Sequence, residues 1–250
     1  MQVSCVYAVG DAEALDFEHG RVWTYYPSCK HMIAALVPTI YRPVGLERVI
    51  LSLRMTAPNV DIIVAGEFDD LAGQDMAEKY LAKWVDCKEV KAGPAYAWNT
   101  ALRAAPDYDI YVLAADDLEF KEGWLENALQ VLSSKLNGSG LVGFNDETGK
   151  FERAGFATHY MVTRDFIIEH NGGVMVCPYY LCDFVDLEAN ARAKRAGKFA
   201  YSPNSHVPHY WRVVDDEGYR RADKRRSKAK EVFITRKALG FPDDFERILT

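Results

Sequence analysis

Asp109-Ile110-Tyr111-Val112-Leu113-Ala114-Ala115-Asp116-Asp117 decides the reading of this chain. Five apolar residues between Ile110 and Ala114 fit a fully buried strand, and two adjacent carboxylates stand where that strand stops. In open α/β sheets ligands collect outside the carboxyl ends of strands, because the loops converge there and helix N-termini point inward. Adjacent carboxylates at such a place suit a divalent cation, Mn²⁺ or Mg²⁺, which takes oxygen ligands and completes its shell with phosphate oxygens and water. The same two residues would also serve as turn and N-cap residues ahead of Leu118–Trp124.

Working outward, short apolar runs alternate with amphipathic stretches, as expected of an α/β domain with a largely parallel sheet. Ile33–Val37 reads as a first strand. Pro43 stands at a helix start, and Leu46, Val49, Ile50 and Leu53 mark one apolar face. Asp61–Ala65 reads as a second strand, Gln74–Lys83 as a helix, Val85–Val90 as a short strand, and a further helix opens at Pro94. Beyond the central strand, Trp124, Ala128, Val131 and Leu132 mark a helix and Gly140–Phe144 a strand. The stretch Ala154–Thr163 leads as a strand into a helix over Asp165–His170. Asp183–Gly197 has helical spacing with a glycine cap, and Lys198–Ser202 is a strand that Pro203 breaks. Tyr219–Lys230 reads as a solvated basic helix, and Gly240-Phe241-Pro242 ends the helix that follows.

Composition bounds the class. The 250 residues are 49% hydrophobic and 26% charged, enough for one full core. No run approaches a membrane span and the N-terminus lacks the basic start of a secretory signal, so a soluble, cytoplasmic protein is expected, with no membrane partner. Five cysteines without a C-x-x-C pair argue for reduced packing residues. The net charge of -6 is uneven, because Arg192 to Lys237 holds fourteen Lys/Arg against five Asp/Glu. Arg212 and the basic run after it suit an anionic ligand such as a nucleotide diphosphate or an anionic acceptor. A solvated helix face is the plainer explanation.

The order of elements from Met32 to about Trp211 resembles the GT-A fold of family 2 glycosyltransferases. The loop Val37-Pro38-Thr39-Ile40-Tyr41-Arg42-Pro43 is similar to the family's P-T/S-x-x-R-P loop, which implies that Pro38, Thr39 and Arg42 seat a nucleotide. Ala65-Gly66-Glu67-Phe68-Asp69-Asp70 stands where the family has a base-contacting acidic loop, with Glu67 as the candidate. Gly93-Pro94-Ala95-Tyr96-Ala97-Trp98-Asn99 resembles the next helix, with Trp98 where the family usually has Arg. Trp98 could stack on a base or sugar, or be core, and Asn99 completes the substrate-binding set. Aligned on the family's D-x-D motif, Ala114 replaces the first acid and Asp116 keeps the last, so the resemblance implies Asp116 as metal ligand and Asp117 as its helper.

Cys182-Asp183-Phe184-Val185-Asp186-Leu187-Glu188 resembles the family's E-D-x-D-L segment, implying Asp183 or Asp186 as the base that takes the acceptor's proton in an inverting transfer. Asp183 could equally be an N-cap. Tyr201-Ser202-Pro203 through His209 is similar to the family's strand, proline and downstream histidine. His209 is therefore the expected second metal ligand, with His206 a close competitor.

These features imply a mostly parallel mixed sheet flanked by helices. An N-terminal extension (1–31) precedes a GT-A domain (32–212), and a basic helical segment (213–250) packs on that domain. The expected activity is metal-dependent sugar transfer from a nucleotide-sugar, UDP-sugar first, to a hydroxyl of a glycan or of a hydroxylated DNA base; the latter would suit a viral enzyme acting in host cytoplasm. The rivals are a nucleotidyltransferase, whose Gly-rich phosphate loop has no counterpart at Pro38–Pro43, and a silent DNA- or glycan-binding module, consistent with the lost acids at Ala114 and Phe184.

Overall fold

The computed structural model describes residues 31–88, 93–181, 183–210 and 217–250, without the side chains of 152 and 217–223. The expected N-terminal extension (1–31) lies outside this range but for His31, as do Trp211 and Arg212. In chain order the elements are β1 (Ile33–Pro38), α1 (Pro43–Thr56), β2 (Asp61–Glu67), α2 (Leu71–Lys79), β3 (Lys83–Cys87), α3 (Pro94–Arg103), β4 (Ile110–Leu113) and α4 (Trp124–Leu136). They continue with β5 (Leu141–Asn145), α5 (Lys150–Ala154), β6 (Tyr160–Thr163), α6 (Arg164–His170), α7 (Val185–Arg195), β7 (Phe199–His206) and α8 (Glu217–Ala238).

The strands form one sheet in the order β3-β2-β1-β4-β6-β5-β7, in which only β6 runs against its neighbours. Every residue of β1 and β4 is buried, because helices cover both faces of the sheet. One face packs Leu46, Val49, Ile50 and Leu53 of α1 together with Trp124, Ala128 and Leu132 of α4. The other packs Ala97, Ala101 and Leu102 of α3 and Val185, Ala189 and Ala193 of α7. Each large apolar side chain so buried contributes roughly 1.5–3 kcal/mol. Cys87 and Cys177 are buried thiols on this second face, and burial pushes them up to about 11 and about 12.

Several expected boundaries shift: the strand read over Ala154–Thr163 is confined to Tyr160–Thr163 with Ala154 closing α5, and the basic helix and the one expected after it are the single α8. The second helix runs Leu71–Lys79 rather than Gln74–Lys83, because Asp70 caps it and accepts from the Gly73 amide at 3.0 Å. The third strand occupies Lys83–Cys87, where it pairs with Ile63–Glu67. The last strand passes through Pro203 to His206. A proline is tolerated there because β7 is an edge strand and its register with β5 shifts between Phe144 and Asn145, which leaves Pro203 without a ladder partner.

The C-terminal helix is tied to α7 by a buried charge cluster. Glu188, 1% exposed, accepts from the Tyr180 hydroxyl at 2.8 Å, from Arg192 at 3.0 Å and from Arg236 at 2.9 and 3.0 Å. Phe184 stacks on Phe233 at 5.3 Å between ring centroids. Among the described residues no helix is long and apolar enough to cross a membrane.

Candidate active site at the strand ends

A cavity of about 300 Å³ opens at the carboxyl ends of β1, β2 and β4. Its first wall is the loop after β1. The Thr39 amide donates to the Ala65 carbonyl at 3.0 Å, which holds the loop against the end of β2. The Tyr41 amide donates to Asp70 at 2.7 Å, so the residues that begin α1 and α2 are fixed to each other. From this wall the Thr39 hydroxyl donates to Asp116 at 2.8 Å and the Arg42 guanidinium lies 3.2 Å from the same carboxylate. Burial pushes Asp116 up to about 6, with Arg42 pulling it down and Asp117 pushing it further up. Gly45 lets α1 come this close, since a Cβ there would sit 2.4 Å from the Asp116 carbonyl oxygen.

The opposite wall is assembled from distant segments. After β7 the chain turns back beside Asp117–Lys121: the Tyr210 amide donates to the Asp117 carbonyl at 2.8 Å and the Glu119 amide to the Pro208 carbonyl at 3.1 Å. His209 is anchored there through its amide on the Asp146 carbonyl, and its Nε2 lies 3.3 Å from the Asp117 carboxylate. His159 enters from the residue before β6, in edge-to-face contact with His209 at 4.8 Å between ring centroids. Its Nδ1 donates to the Leu113 carbonyl at 3.3 Å. Burial and the neighbouring His209 hold this imidazole down at about 3, so it is neutral.

Asp117, His159 and His209 each offer one ligand atom, all within 4.8 Å of one another. The structure therefore brings His209 to Asp117 and not to Asp116, the expected ligand. Both acids lie in the turn after β4: the Asp116 carboxylate is taken by Thr39 and Arg42, whereas Asp117 meets the chain returning after β7. His206 points elsewhere, half-exposed and 3.0 Å from Glu147.

The other expected site residues divide. Pro38, Thr39, Arg42, Glu67, Asp117, Asp183 and Asp186 all line the cavity. Asp183 is bridged by Arg226 of α8 at 3.2 and 3.3 Å. Asp186, in the first turn of α7, is pushed up to about 6 by burial, against the pull of Lys150. Trp98 also lines the cavity. It is 6% exposed and its indole N–H donates to the Ala114 carbonyl at 2.7 Å, so it holds the end of β4 as a core residue.

Asn99 is corrected outright: its amide is taken up by the backbone of Met175 and Val176 at 2.8–3.3 Å, and it fixes that loop without lining the cavity. Arg212 lies outside the described residues. Sequence reasoning missed His159 and Gly45. Neither belongs to a local motif, and the only signal for His159 was its position ahead of a strand that pairs with β4.

Residues 35–188 match the sequence model of glycosyl transferase family 2. None of the curated protein sequences matches the chain significantly. Among solved structures, the chain is similar to a mannosyltransferase from Pyrobaculum calidifontis in complex with GDP-Man and Mn²⁺, at TM-score 0.63 and 19% identity, over 84% of this chain and 66% of that one. It is also similar to glucosyl-3-phosphoglycerate synthase from Mycobacterium tuberculosis, in complex with Mn²⁺, UDP and glucosyl-3-phosphoglycerate. There the TM-score is 0.60 at 16% identity, over 89% of this chain and 88% of the other. Residues 1–349 of TarS from S. aureus, in complex with UDP, align at TM-score 0.58 and 13% identity over 75% of this chain and 62% of TarS 1–349. The chain thus spans less than two thirds of the length of the first and last of these. These likenesses carry the fold, a GT-A-like mixed sheet.

Proposed function

The chain belongs to glycosyl transferase family 2 and is a glycosyltransferase, and from this premise we propose that it moves a sugar from a nucleoside diphosphate sugar to an acceptor hydroxyl, with inversion and with a divalent cation. The observation that carries the reading is one cavity with Thr39, Arg42 and Asp116 on one side, the Asp117–His159–His209 cluster on the other and Asp186 at its edge. The residues fit a cation. Nε2 of His159 is buried with no hydrogen-bond partner among the described residues, and a buried unpaired nitrogen costs about 1–3 kcal/mol unless something binds it. The cations and nucleotides bound by the mannosyltransferase and the synthase support Mn²⁺ or Mg²⁺, with UDP-sugar ahead of GDP-sugar as the donor.

Pro38, Thr39, Arg42 and Glu67 seat the nucleotide at the β1 and β2 ends. Asp117 and His209 hold the cation, which when bound neutralises the leaving diphosphate. Asp186 takes the proton of the acceptor hydroxyl as its oxygen forms the new bond to the anomeric carbon. The bond to the diphosphate breaks on the opposite face, and its electron pair leaves with the nucleoside diphosphate. Asp186 is preferred to Asp183 because Arg226 already engages Asp183. The exposed Lys224, Lys228 and Lys230 of α8 and Arg226 at the cavity favour an anionic acceptor, a charged glycan or DNA with a hydroxylated base.

A panel of UDP- and GDP-sugars with Mn²⁺ tests the reading. Turnover of one donor is expected, and Asp186→Asn should lose transfer while keeping Mn²⁺-dependent binding of the nucleoside diphosphate. Full activity in that variant would pass the base role to Asp183, and no turnover of any donor with any offered acceptor or water would reject the reading.

A further inference from the structure

The third member of the cluster has consequences beyond holding a leaving group. We propose that His159 is a full protein ligand, so that Asp117, His159 and His209 form a site built in advance of nucleotide. On this proposal the site takes a first-row transition-metal ion such as Mn²⁺ in preference to Mg²⁺. It rests on the reading that this cavity is the metal-dependent transfer site.

Three observations carry it. His159 is 4% exposed, and its Nε2 is buried with no hydrogen-bond partner among the described residues. Its other ring nitrogen donates to the Leu113 carbonyl at 3.3 Å. A metal-binding histidine is held in this way, since the backbone acceptor fixes the tautomer and turns the bare nitrogen to the cation. A histidine kept only for packing would gain nothing from a buried bare nitrogen. Finally, one atom each from Asp117, His159 and His209 lies within 4.8 Å of the others, a spacing that a small contraction closes around bonds of about 2.1 Å.

The donor chemistry sets the preference. Mg²⁺ keeps several waters and binds through carboxylates and phosphates, whereas imidazole nitrogen is a ligand for first-row transition metals, among which Mn²⁺ binds most weakly. One carboxylate with two imidazoles is a poor set for Mg²⁺. It needs no phosphate oxygen to retain a transition metal, because three ligands come from the protein itself.

The test measures Mn²⁺ and Mg²⁺ binding to the full chain without nucleotide, by calorimetry and by electron paramagnetic resonance. The wild type is expected to bind Mn²⁺ at least about 100-fold more tightly than Mg²⁺. His159→Asn keeps a donor for the Leu113 carbonyl and removes the ligand nitrogen. It should bind Mn²⁺ at least about tenfold more weakly and lose most of the preference. Pulsed resonance on the wild type with Mn²⁺ alone should show two imidazole nitrogens, a readout independent of whether the variant folds. One nitrogen, or a folded His159→Asn with Mn²⁺ affinity within twofold of wild type, overturns the proposal. A site that meets these expectations in a protein that turns over no nucleotide-sugar leaves this inference standing and removes the transfer reading instead.

Discussion

The two walls of the cavity are built differently, although adjacent residues, Asp116 and Asp117, begin them. The wall at β1 is closed on itself: Asp116 accepts from Thr39 at 2.8 Å and lies 3.2 Å from Arg42, all within elements that follow one another closely in the sheet. The wall at β6 leaves buried nitrogen atoms of His159 and His209 without partners among the described residues. On the first wall the Asp116 carboxylate is held by protein groups. On the second the imidazole of His159 keeps a bare buried nitrogen, and that contrast between Asp116 and the cluster marks where a cation goes.

Removing the two acids separately tests the difference between the walls most directly. Asp117→Ala takes the only carboxylate from the cluster, and Mn²⁺-supported transfer should fall by about 10³-fold, as when a strong stabiliser of transition-state charge is lost. Asp116→Asn keeps a side chain that can still accept from Thr39. It should retain Mn²⁺ binding measured without nucleotide while raising the KM for the donor. Equal loss of Mn²⁺ binding in both variants would erase the distinction between the walls.

Asp186 belongs to neither wall, and its titration separates its role from theirs. Burial raises its carboxyl to about 6. A base acts only when ionised, so kcat should be flat above that pH and fall about tenfold per unit below it. Asp186→Asn should lower kcat by about 10²-fold and remove this acid limb, leaving Mn²⁺ affinity unchanged. An acid limb that survives in the variant would assign the titration to another group.

The same contrast explains what could be read from the sequence. The β1 loop, α1 and β4 were legible because each is local: apolar runs, a proline at a helix start, and a face repeating at Leu46, Val49, Ile50 and Leu53. Thr39 and Arg42 came from the resemblance of that loop to the family's P-T/S-x-x-R-P loop. His159 was not legible, because it reaches the cavity only through antiparallel pairing of β6 with β4, and such register is a tertiary fact. Asn99 was misjudged for the opposite reason, and of the two readings open for Trp98 the core one describes its indole N–H. Their positions resembled a binding motif, yet the fold uses their polar atoms on the backbone of 175–176 and of Ala114. The acids were seen as a pair, but which faced the imidazoles depended on where the chain returns after β7.

A smaller effect tests the closed wall. Gly45→Ala places a Cβ 2.4 Å from the Asp116 carbonyl oxygen, and backbone on both sides must move. The strain of about 1–3 kcal/mol exceeds the roughly 1 kcal/mol that alanine gains in a helix. The net loss should lower Tm by a few degrees for a chain of this size. Donor KM should rise with little change in Mn²⁺ affinity, because the shift falls on the Asp116 side. An unchanged Tm would mean that α1 approaches Asp116 less closely than 2.4 Å implies.

The smallest expected effect concerns the two histidines after Pro203. His209 is anchored by its amide on Asp146 and faces Asp117, whereas His206 sits at the end of β7 with its ring 3.0 Å from the exposed Glu147. An exposed pair of this kind is worth 0–1 kcal/mol, and only while the imidazole is protonated. His206→Gln should therefore leave Mn²⁺ binding and transfer within twofold of wild type. His209→Gln, three residues on, should weaken Mn²⁺ binding at least about tenfold. The difference follows from the path of the chain, which leaves the sheet edge at His206 and has turned under the end of β4 by His209. A metal defect in His206→Gln would show that this return is displaced along the sequence and that the second wall is assembled around the other ring.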